Sequence, residues 1–340
     1  MPRRPTIFSL TSMHDSGMQR LREAGELRMA TALDPPTLRR EVVGAEALVI
    51  RTGGVIDAAL LDAGRGLKVV GRHGVGYDQI DVDAATARGV QVVYTPGANT
   101  QSVAEHVLAM MIGLSKHFTK MSAELAAYNY HARTSMTGRD IAGKTIGIIG
   151  FGRIGRRVGE IAHMGFGMHV LYNDIVAPPE EVERRCDARR MELPELLAAS
   201  DYVTMHVPLD ASTRNMINRE TLAMMKPDAI LINCARGPVV DEPAVAEALD
   251  AGKLWGYGGD VFTIEPPPAG HPLIGRRDVL LTPHSAAQTE ESLRNMATTI
   301  AEEVVGVLNG VVPRYPVNDP MQVEQIRRQL GLEPLYQRVQ

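Results

Sequence analysis

The sequence predicts an α/β protein with two Rossmann-like domains, each a doubly wound parallel sheet, and three observations support this. The chain has 340 residues, more than one domain usually has, and 44% of them are apolar. Short β-rich runs alternate with helical patterns along most of the chain, as in parallel sheets with helical crossovers. Two long helical patterns divide this alternation into two parts.

The predicted strands are short apolar runs rich in valine, isoleucine and leucine. In chain order they cover residues 46–51, 67–72, 90–95, 145–150, 169–174, 202–207, 229–234 and 279–283. A further strand leads to Asp260 in "GYGGDVFTIEP".

The first long helix begins at a capping box, because Ser102 and Glu105 have the required spacing, and it runs to about Phe118. It is apolar on most faces, so we expect it to be buried between layers or between subunits. The second helix lies in "TEESLRNMATTIAEEVVGVLNG" and ends at Asn309-Gly310. Its apolar face carries Leu293, Met296, Ile300, Val304 and Leu308.

These helices predict a discontinuous arrangement of two domains. Residues 1–100 form the first domain, which the segment 291–340 completes, and residues 101–290 form the second. The tail after about residue 318 is polar, and the sequence predicts no role for it.

Composition argues against several classes of partner. The net charge of −4 gives no general attraction to nucleic acid or to anionic membranes. Cys186 and Cys234 lie far apart, which predicts no metal site and suits a reducing compartment. The chain starts with too short an apolar run for a secretory signal, and no stretch is long enough to span a bilayer. We therefore expect a soluble, cytoplasmic protein.

A glycine-rich turn predicts a dinucleotide site in the second domain. Gly150, Gly152 and Gly155 form GxGxxG between a strand and a helix, and Asp174 ends the next strand. The helix N-terminus would hold the pyrophosphate, and Asp174 would bind the ribose hydroxyls and repel a 2′-phosphate, which favours NAD over NADP. The alternatives are a purely structural turn and an ordinary surface carboxylate.

Three polar side chains follow predicted strand ends in the same half of this sheet: Arg236, Glu265 and His284. Ligands of open α/β sheets bind at that edge, and guanidinium is well matched to a carboxylate. The alternatives are a salt bridge from Arg236 to Asp241 or Glu242 and a structural role for His284.

The chain resembles the D-isomer-specific 2-hydroxyacid dehydrogenases, most of all their phosphoglycerate dehydrogenase and hydroxypyruvate reductase branch. Seven stretches carry the resemblance, in family order over roughly residues 45 to 318. They are "GRHGVGYDQID", "NTQSVAEH", "GKTIGIIGFGRIG", "HVPL", "LINCARGPVVDE", "GYGGDVFTIEPP" and "LLTPHSAA".

The resemblance implies an NAD-dependent exchange of a hydride between a D-2-hydroxyacid and its 2-oxoacid. Arg236 would bind the substrate carboxylate, His284 would be the acid–base group, and Glu265 would orient and stabilise its imidazolium. The backbone around Val75 and Gly76 would hold the other carboxylate oxygen, so the first domain would bind substrate. The implied cofactor contacts are Arg153, Ile154, His206, Val207, Pro208, Thr213, Cys234, Ala235, Arg236, Asp260, His284 and Ala286. Asp260 would orient the carboxamide, and Ala286 stands where many relatives have glycine.

Substrate identity depends on Arg51, which aligns with a basic residue that phosphoglycerate enzymes of the family use near the phosphate. Together with Arg72 and His73 it predicts an anionic C3 substituent, although an interdomain or surface ion pair is the alternative. The long apolar helix and family habit predict a homodimer joined through the NAD-binding domains. Two rival functions remain open, namely phosphite-type oxidation and a corepressor-like NADH sensor.

Overall fold

The computed structural model describes residues 4–336 and divides them into two compact units. The outer unit comprises residues 4–99 and 289–336, and the central unit comprises residues 100–288. The outer ends of the first predicted domain, residues 1–3 and 337–340, lie outside the described residues. Each unit is an α/β structure around its own parallel sheet, so the predicted fold class is confirmed.

The strands are β1 (Thr6–Ser9), β2 (Glu26–Met29), β3 (Ala47–Ile50), β4 (Val69–Arg72), β5 (Gln91–Val93), β6 (Thr145–Ile149), β7 (His169–Asn173), β8 (Ala188–Arg190), β9 (Tyr202–Met205), β10 (Ala229–Asn233), β11 (Leu254–Gly259) and β12 (Val279–Leu281).

The helices are α1 (Asp15–Ala24), α2 (Pro35–Glu41), α3 (Ala58–Ala63), α4 (Val82–Ala87), α5 (Thr100–Ser115), α6 (Phe118–Ala126), α7 (Arg153–Phe166), α8 (Glu180–Cys186), α9 (Leu193–Ala199), α10 (Arg219–Met224), α11 (Glu242–Asp250), α12 (Glu290–Leu308) and α13 (Pro320–Gln329). Short 3₁₀ turns cover Tyr130–Thr134 and Gly237–Val239.

The outer unit has a five-stranded sheet in the order β2-β1-β3-β4-β5, with all neighbours parallel. The predicted long helix is present as α12, which packs on β4 and α1. Thr289 caps its start by accepting a hydrogen bond from the Ser292 N–H, and Gly310 follows its end with φ 83°. The helix closes the core over the sheet with the buried side chains of Ala297, Ile300, Ala301 and Val304.

The central unit has a seven-stranded parallel sheet in the order β12-β11-β10-β9-β6-β7-β8. Chain order reverses between β6 and β9, because β7 and β8 lie on one side of β6 and β9 to β12 lie on the other. Such a reversal opens a crevice at the carboxyl ends of the strands, where ligands of open α/β sheets bind.

The capping box predicted at Ser102 is wrong. Helix α5 begins two residues earlier, so Ser102 is a buried residue of its first turn, and Glu105 accepts a hydrogen bond from the Gln101 side chain at 2.6 Å. The helix ends at Ser115, and α6 begins after His117, whose φ of 55° breaks the run predicted to reach Phe118. Helix α5 packs on β10, β11 and α7 of its own unit, which accounts for its apolar faces.

Strands β1, β2 and β8 and helix α13 were not predicted. Strands β2 and β8 each lie at one edge of a sheet and have polar, partly exposed sequences that carry little β signal. Residues 319–336, the described part of the polar tail, are held in place by paired polar groups. The buried Glu324 accepts from the Leu335 N–H at 2.6 Å, and Arg327 donates to the Gly89 carbonyl at 2.8 Å. Within residues 4–336, no helix combines the length and apolar character needed to cross a membrane.

Candidate active site

Three neighbouring strands deliver the predicted catalytic side chains to one edge of the central sheet. Strands β10, β11 and β12 are adjacent and parallel, so their carboxyl ends lie side by side. Arg236 comes three residues after β10, Glu265 comes six residues after β11, and His284 comes three residues after β12. The chain therefore brings a guanidinium, a carboxylate and an imidazole to the same edge.

His284 and Glu265 are in direct contact. The distance from His284 Nδ1 to Glu265 Oε2 is 2.8 Å, and the other carboxylate oxygen of Glu265 accepts from the Phe262 N–H at 3.0 Å. Burial raises the pKa of Glu265, but the hydrogen bonds from His284 and the Phe262 N–H and the charges of His284 and Arg236 outweigh it and lower the pKa below its usual value. The pair thus combines an ionised carboxylate with a ring that can carry a proton.

Arg236 lies close enough to Glu265 for its charge to lower the pKa of that carboxyl. The guanidinium donates to the Ala235 carbonyl at 2.7 Å, and the Asn233 side chain donates to the Arg236 carbonyl at 2.9 Å.

The carboxylates offered as alternative partners of Arg236 have other contacts. Asp241 caps α11 through the Ala244 N–H, and Glu242 lies 3.2 Å from the His271 ring.

Asp260 is 1% exposed, and its carboxylate accepts hydrogen bonds from the loop that carries His284. It accepts from the Thr282 hydroxyl at 2.6 Å, from the Ser285 N–H at 2.7 Å and from the Ala286 N–H at 2.9 Å. Sequence reasoning assigned Asp260 to the nicotinamide carboxamide and missed this set of contacts within the loop.

The glycine-rich turn runs from β6 into α7, and each glycine meets a different constraint. Gly150 has φ 91°, and a Cβ there would lie 2.7 Å from the His206 carbonyl carbon; at Gly155 it would lie 2.2 Å from the Gly150 oxygen. A Cβ on Gly152 would meet nothing within 4 Å. Internal packing therefore requires the first and third glycines, whereas the open space at Gly152, at the N-terminus of α7, fits a bound pyrophosphate.

Asp174 lies beside this turn, directly after β7. Its carboxylate accepts from the Phe151 N–H at 2.6 Å and from the Val176 N–H at 2.9 Å. Arg190, which sequence reasoning did not single out, donates to the Asp174 carbonyl at 2.8 Å. The carboxylate is thus held at the same end of the sheet as the open glycine turn.

The remaining predicted cofactor residues differ in exposure. Arg153 and Pro208 are exposed, Ile154 and Val207 are half-buried, and Ala235 and Ala286 are buried.

Three other predicted cofactor residues have internal contacts or shifted pKa values. Burial lowers the pKa of His206 to about 3, so its ring is neutral at physiological pH. The buried Thr213 hydroxyl donates to the Pro208 carbonyl at 2.7 Å. Burial, with the charge of Asp260, raises the pKa of the Cys234 thiol well above its usual value, which argues against a nucleophilic role.

Of the four predicted substrate residues, Arg51, Val75 and Gly76 lie in the outer unit, and Arg236 lies in the central unit. Arg51 follows β3 and donates to the Ser12 carbonyl at 3.3 Å. The backbone N–H groups of Val75 and Gly76 donate to none of the residues that the structure describes. Arg72 donates to the carbonyls of Gly76 and Arg51, and His73 is 3% exposed. Arg51 and Arg72 therefore both donate to main-chain carbonyls of the outer unit.

Comparison with known proteins agrees with this geometry. Residues 108–286 match the model of the D-isomer-specific 2-hydroxyacid dehydrogenase NAD-binding domain. The chain is 38% identical over 314 residues to D-3-phosphoglycerate dehydrogenase of Methanocaldococcus jannaschii, covering 92% of this chain and 59% of the relative. It spans about half to three-fifths of the length of the curated relatives it matches.

Solved structures share most of the described fold. A Thermus thermophilus protein superimposes with a TM-score of 0.83 at 34% identity, covering 92% of this chain and all of that one. D-lactate dehydrogenase from Aquifex aeolicus, complexed with NAD and lactic acid, superimposes with a TM-score of 0.80 at 30% identity, covering 90% and 96% of the two chains. The chain therefore belongs to the D-isomer-specific 2-hydroxyacid dehydrogenase family.

Proposed function

We propose that this protein is an NAD-dependent oxidoreductase that interconverts a D-2-hydroxyacid and its 2-oxoacid. The observation that carries the proposal is the 2.8 Å contact between His284 and Glu265, with Arg236 nearby, on the sheet that also carries the glycine turn. We assign cofactor binding to the central unit and substrate binding to the outer unit.

In this proposal Arg236 binds the substrate carboxylate through its planar guanidinium. His284 takes the proton of the substrate hydroxyl in oxidation and returns it to the carbonyl oxygen in reduction, because imidazole changes protonation near neutral pH. Glu265 accepts a hydrogen bond from His284 Nδ1. This leaves His284 Nε2 to face the substrate, and the carboxylate stabilises the imidazolium. The N–H groups of Val75 and Gly76 hold the second carboxylate oxygen.

NAD, when bound, supplies the hydride acceptor or donor. Gly152 and the N-terminus of α7 would hold its pyrophosphate, and Asp174 would accept hydrogen bonds from the adenosine ribose hydroxyls. A 2′-phosphate at that position would meet the negative charge of Asp174, so we propose a preference for NAD over NADP.

We propose a substrate with an anionic group at C3, such as 3-phosphoglycerate; a hydroxypyruvate-like acid, whose C3 carries a neutral hydroxyl, is the second candidate. Arg51 at the end of β3 and the similarity to D-3-phosphoglycerate dehydrogenases support this substrate class. Replacing Arg51 with alanine should lower kcat/KM for phosphohydroxypyruvate much more than kcat/KM for a 2-oxoacid that has no charged group at C3. An equal loss for both would remove Arg51 from recognition of the substituent.

We also propose a homodimer joined through the central units, in a cytoplasmic location. Helix α5, on which the sequence prediction of a dimer was based, is buried within its own unit and does not support the dimer. The segment that follows α5 supports it instead. Phe118 and Leu125 on α6 and Tyr128 and Tyr130 beyond it are all more than half exposed, an unusual set for a free surface. The two cysteines form no disulfide, as suits a reducing compartment.

A substrate panel tests the reaction class. NADH absorbance would be followed with phosphohydroxypyruvate, hydroxypyruvate, glyoxylate and 2-oxoglutarate, and repeated with NADPH. The proposal predicts turnover of at least one 2-oxoacid, faster with NADH. A separate assay would supply phosphite with NAD and follow the formation of NADH, because phosphite is oxidised to phosphate. Turnover of phosphite alone would indicate the phosphite-type reaction, and NADH binding without turnover of any 2-oxoacid or of phosphite would indicate a corepressor-like sensor.

A further inference from the structure

Asp260 holds the backbone of residues 284–286, the loop that carries His284, through hydrogen bonds. The His284 N–H donates to the main-chain oxygen of Asp260 at 2.7 Å, and the next two N–H groups, of Ser285 and Ala286, donate to its carboxylate. His284 itself has φ 51°, a left-handed conformation that a residue with a Cβ seldom adopts without support. The position of the imidazole therefore depends on how firmly Asp260 holds three consecutive N–H groups.

Thr282 extends this arrangement by one hydrogen bond. Its hydroxyl donates to Asp260 Oδ1 at 2.6 Å, and its oxygen lies 2.9 Å from His106 Nε2 on α5. A threonine hydroxyl has a single hydrogen, which Asp260 receives, so His106 must donate at Nε2. A continuous chain of donors thus runs from His106 through Thr282 to Asp260.

The ring of His106 is half-buried beside Thr282 and Asp260, which are distant from it in sequence. Its side chain is 22% exposed, and Nε2 is 3.8 Å from Asp260 Oδ1, so the ring faces both the hydroxyl and the carboxylate behind it. Without this donor, the Thr282 hydroxyl would lose the contact that fixes its rotation.

We infer that His106 is a positioning residue for the reaction, acting through Thr282 and Asp260 on the backbone that holds His284 against Glu265. His106 does not touch the His284–Glu265 pair itself. The kinetic part of this inference rests on the proposed dehydrogenase function, whereas the positioning of the His284 loop does not.

Paired substitutions separate positioning from simple packing. His106→Gln places an amide nitrogen near the position of Nε2 and keeps the donor, whereas His106→Leu fills similar space without it. Thr282→Ser keeps the hydroxyl, and Thr282→Val removes it at nearly constant shape. His169→Leu, at an exposed histidine that begins β7 in the same unit, is the matched control.

We expect kcat for the best 2-oxoacid to fall about tenfold in His106→Leu and in Thr282→Val, with KM for NADH changed less than about twofold. His106→Gln, Thr282→Ser and His169→Leu should stay within about threefold of wild type. Because both residues act through one chain of hydrogen bonds, the double variant His106→Leu/Thr282→Val should be no slower than Thr282→Val alone.

Three results would overturn the inference. They are an unchanged kcat in His106→Leu, a loss of kcat in His106→Gln as large as that in His106→Leu, and losses of kcat that multiply in the double variant. If His106→Leu does not fold, the comparison of Thr282→Val with Thr282→Ser still decides, and an equal kcat in these two would overturn it.

A readout without catalysis separates this inference from the proposed function. The ring signal of His284 in the cofactor-free protein, assigned by its loss in His284→Gln, would be followed by NMR. It should move in the same direction in His106→Leu and Thr282→Val and stay in place in His106→Gln. That pattern in a protein that turns over no 2-oxoacid would support the positioning and defeat the dehydrogenase proposal. An unmoved signal in an active enzyme would defeat the positioning alone.

Discussion

At the scale of single residues, Glu265 supports His284 through a hydrogen bond and a negative charge. The lowered pKa of Glu265 keeps its carboxylate ionised through the neutral range, 2.8 Å from His284 Nδ1. Glu265→Gln keeps a hydrogen-bond acceptor of the same length but removes the charge. We expect kcat to fall about tenfold in both directions, with KM for NADH changed less than about twofold. An unchanged kcat in both directions would show that the charge of Glu265 does not act on His284.

His73 makes a separate prediction about stability. Burial, with the charges of Arg51 and Arg72, lowers its pKa from 6.5 to about 4, so the folded protein holds it neutral. Between these values the unfolded chain binds the extra proton, and stability falls as pH drops from 7 to 4. Wild type should lose about 3 kcal/mol more than His73→Gln over this interval. Urea unfolding at several pH values measures the difference, and parallel curves for the two proteins would contradict it.

The positions of the proposed catalytic residues could be predicted from sequence because a strand end determines where the next side chains lie. Arg236 and His284 each follow an apolar strand by three residues, and the parallel sheet brings those ends together. Their supporting contacts could not be predicted. His106 lies 176 residues from Thr282 in sequence, so no local pattern links them. Arg72 has a basic side chain that could bind an anion, and the sequence does not indicate that it binds carbonyls instead.

At the scale of elements, the turn from β6 into α7 offers a matched test of cofactor binding. Gly152→Ala adds a methyl group to open space, so the melting temperature should not change, while NADH should bind about tenfold more weakly because the methyl group meets the pyrophosphate. Gly155→Ala should instead destabilise the fold, because its Cβ would clash with the Gly150 oxygen. Thermal melting and NADH fluorescence titration measure both. Unchanged NADH affinity in a folded Gly152→Ala would place the pyrophosphate elsewhere.

Central strands and α12 were predictable because their apolar periodicity reflects burial on both faces or on one face. The outermost strands β2 and β8 are held by backbone pairing to one neighbour, which leaves little trace in side-chain pattern. The start of α5 was misread at Ser102 because the spacing of serine and glutamate can occur inside a first turn as well as at a cap.

At the scale of the whole molecule, the homodimer proposal predicts a mass of twice 37.0 kDa by light scattering at micromolar concentration. Replacing Phe118 and Leu125 of α6 with serine should shift the protein towards monomer, since it removes exposed apolar side chains. Met164→Ser, at a residue of α7 that is 75% exposed, is the control and should leave the mass unchanged. A wild-type protein that is monomeric at this concentration would contradict the dimer.

The acid–base role of His284 is the centre of the proposed mechanism, and kcat of His284→Ala for the best 2-oxoacid tests it most directly. We predict a fall of about three orders of magnitude, with NADH affinity within about twofold of wild type, because the ring moves the proton and does not hold the cofactor in place. A variant that keeps more than about a tenth of wild-type kcat would contradict the account.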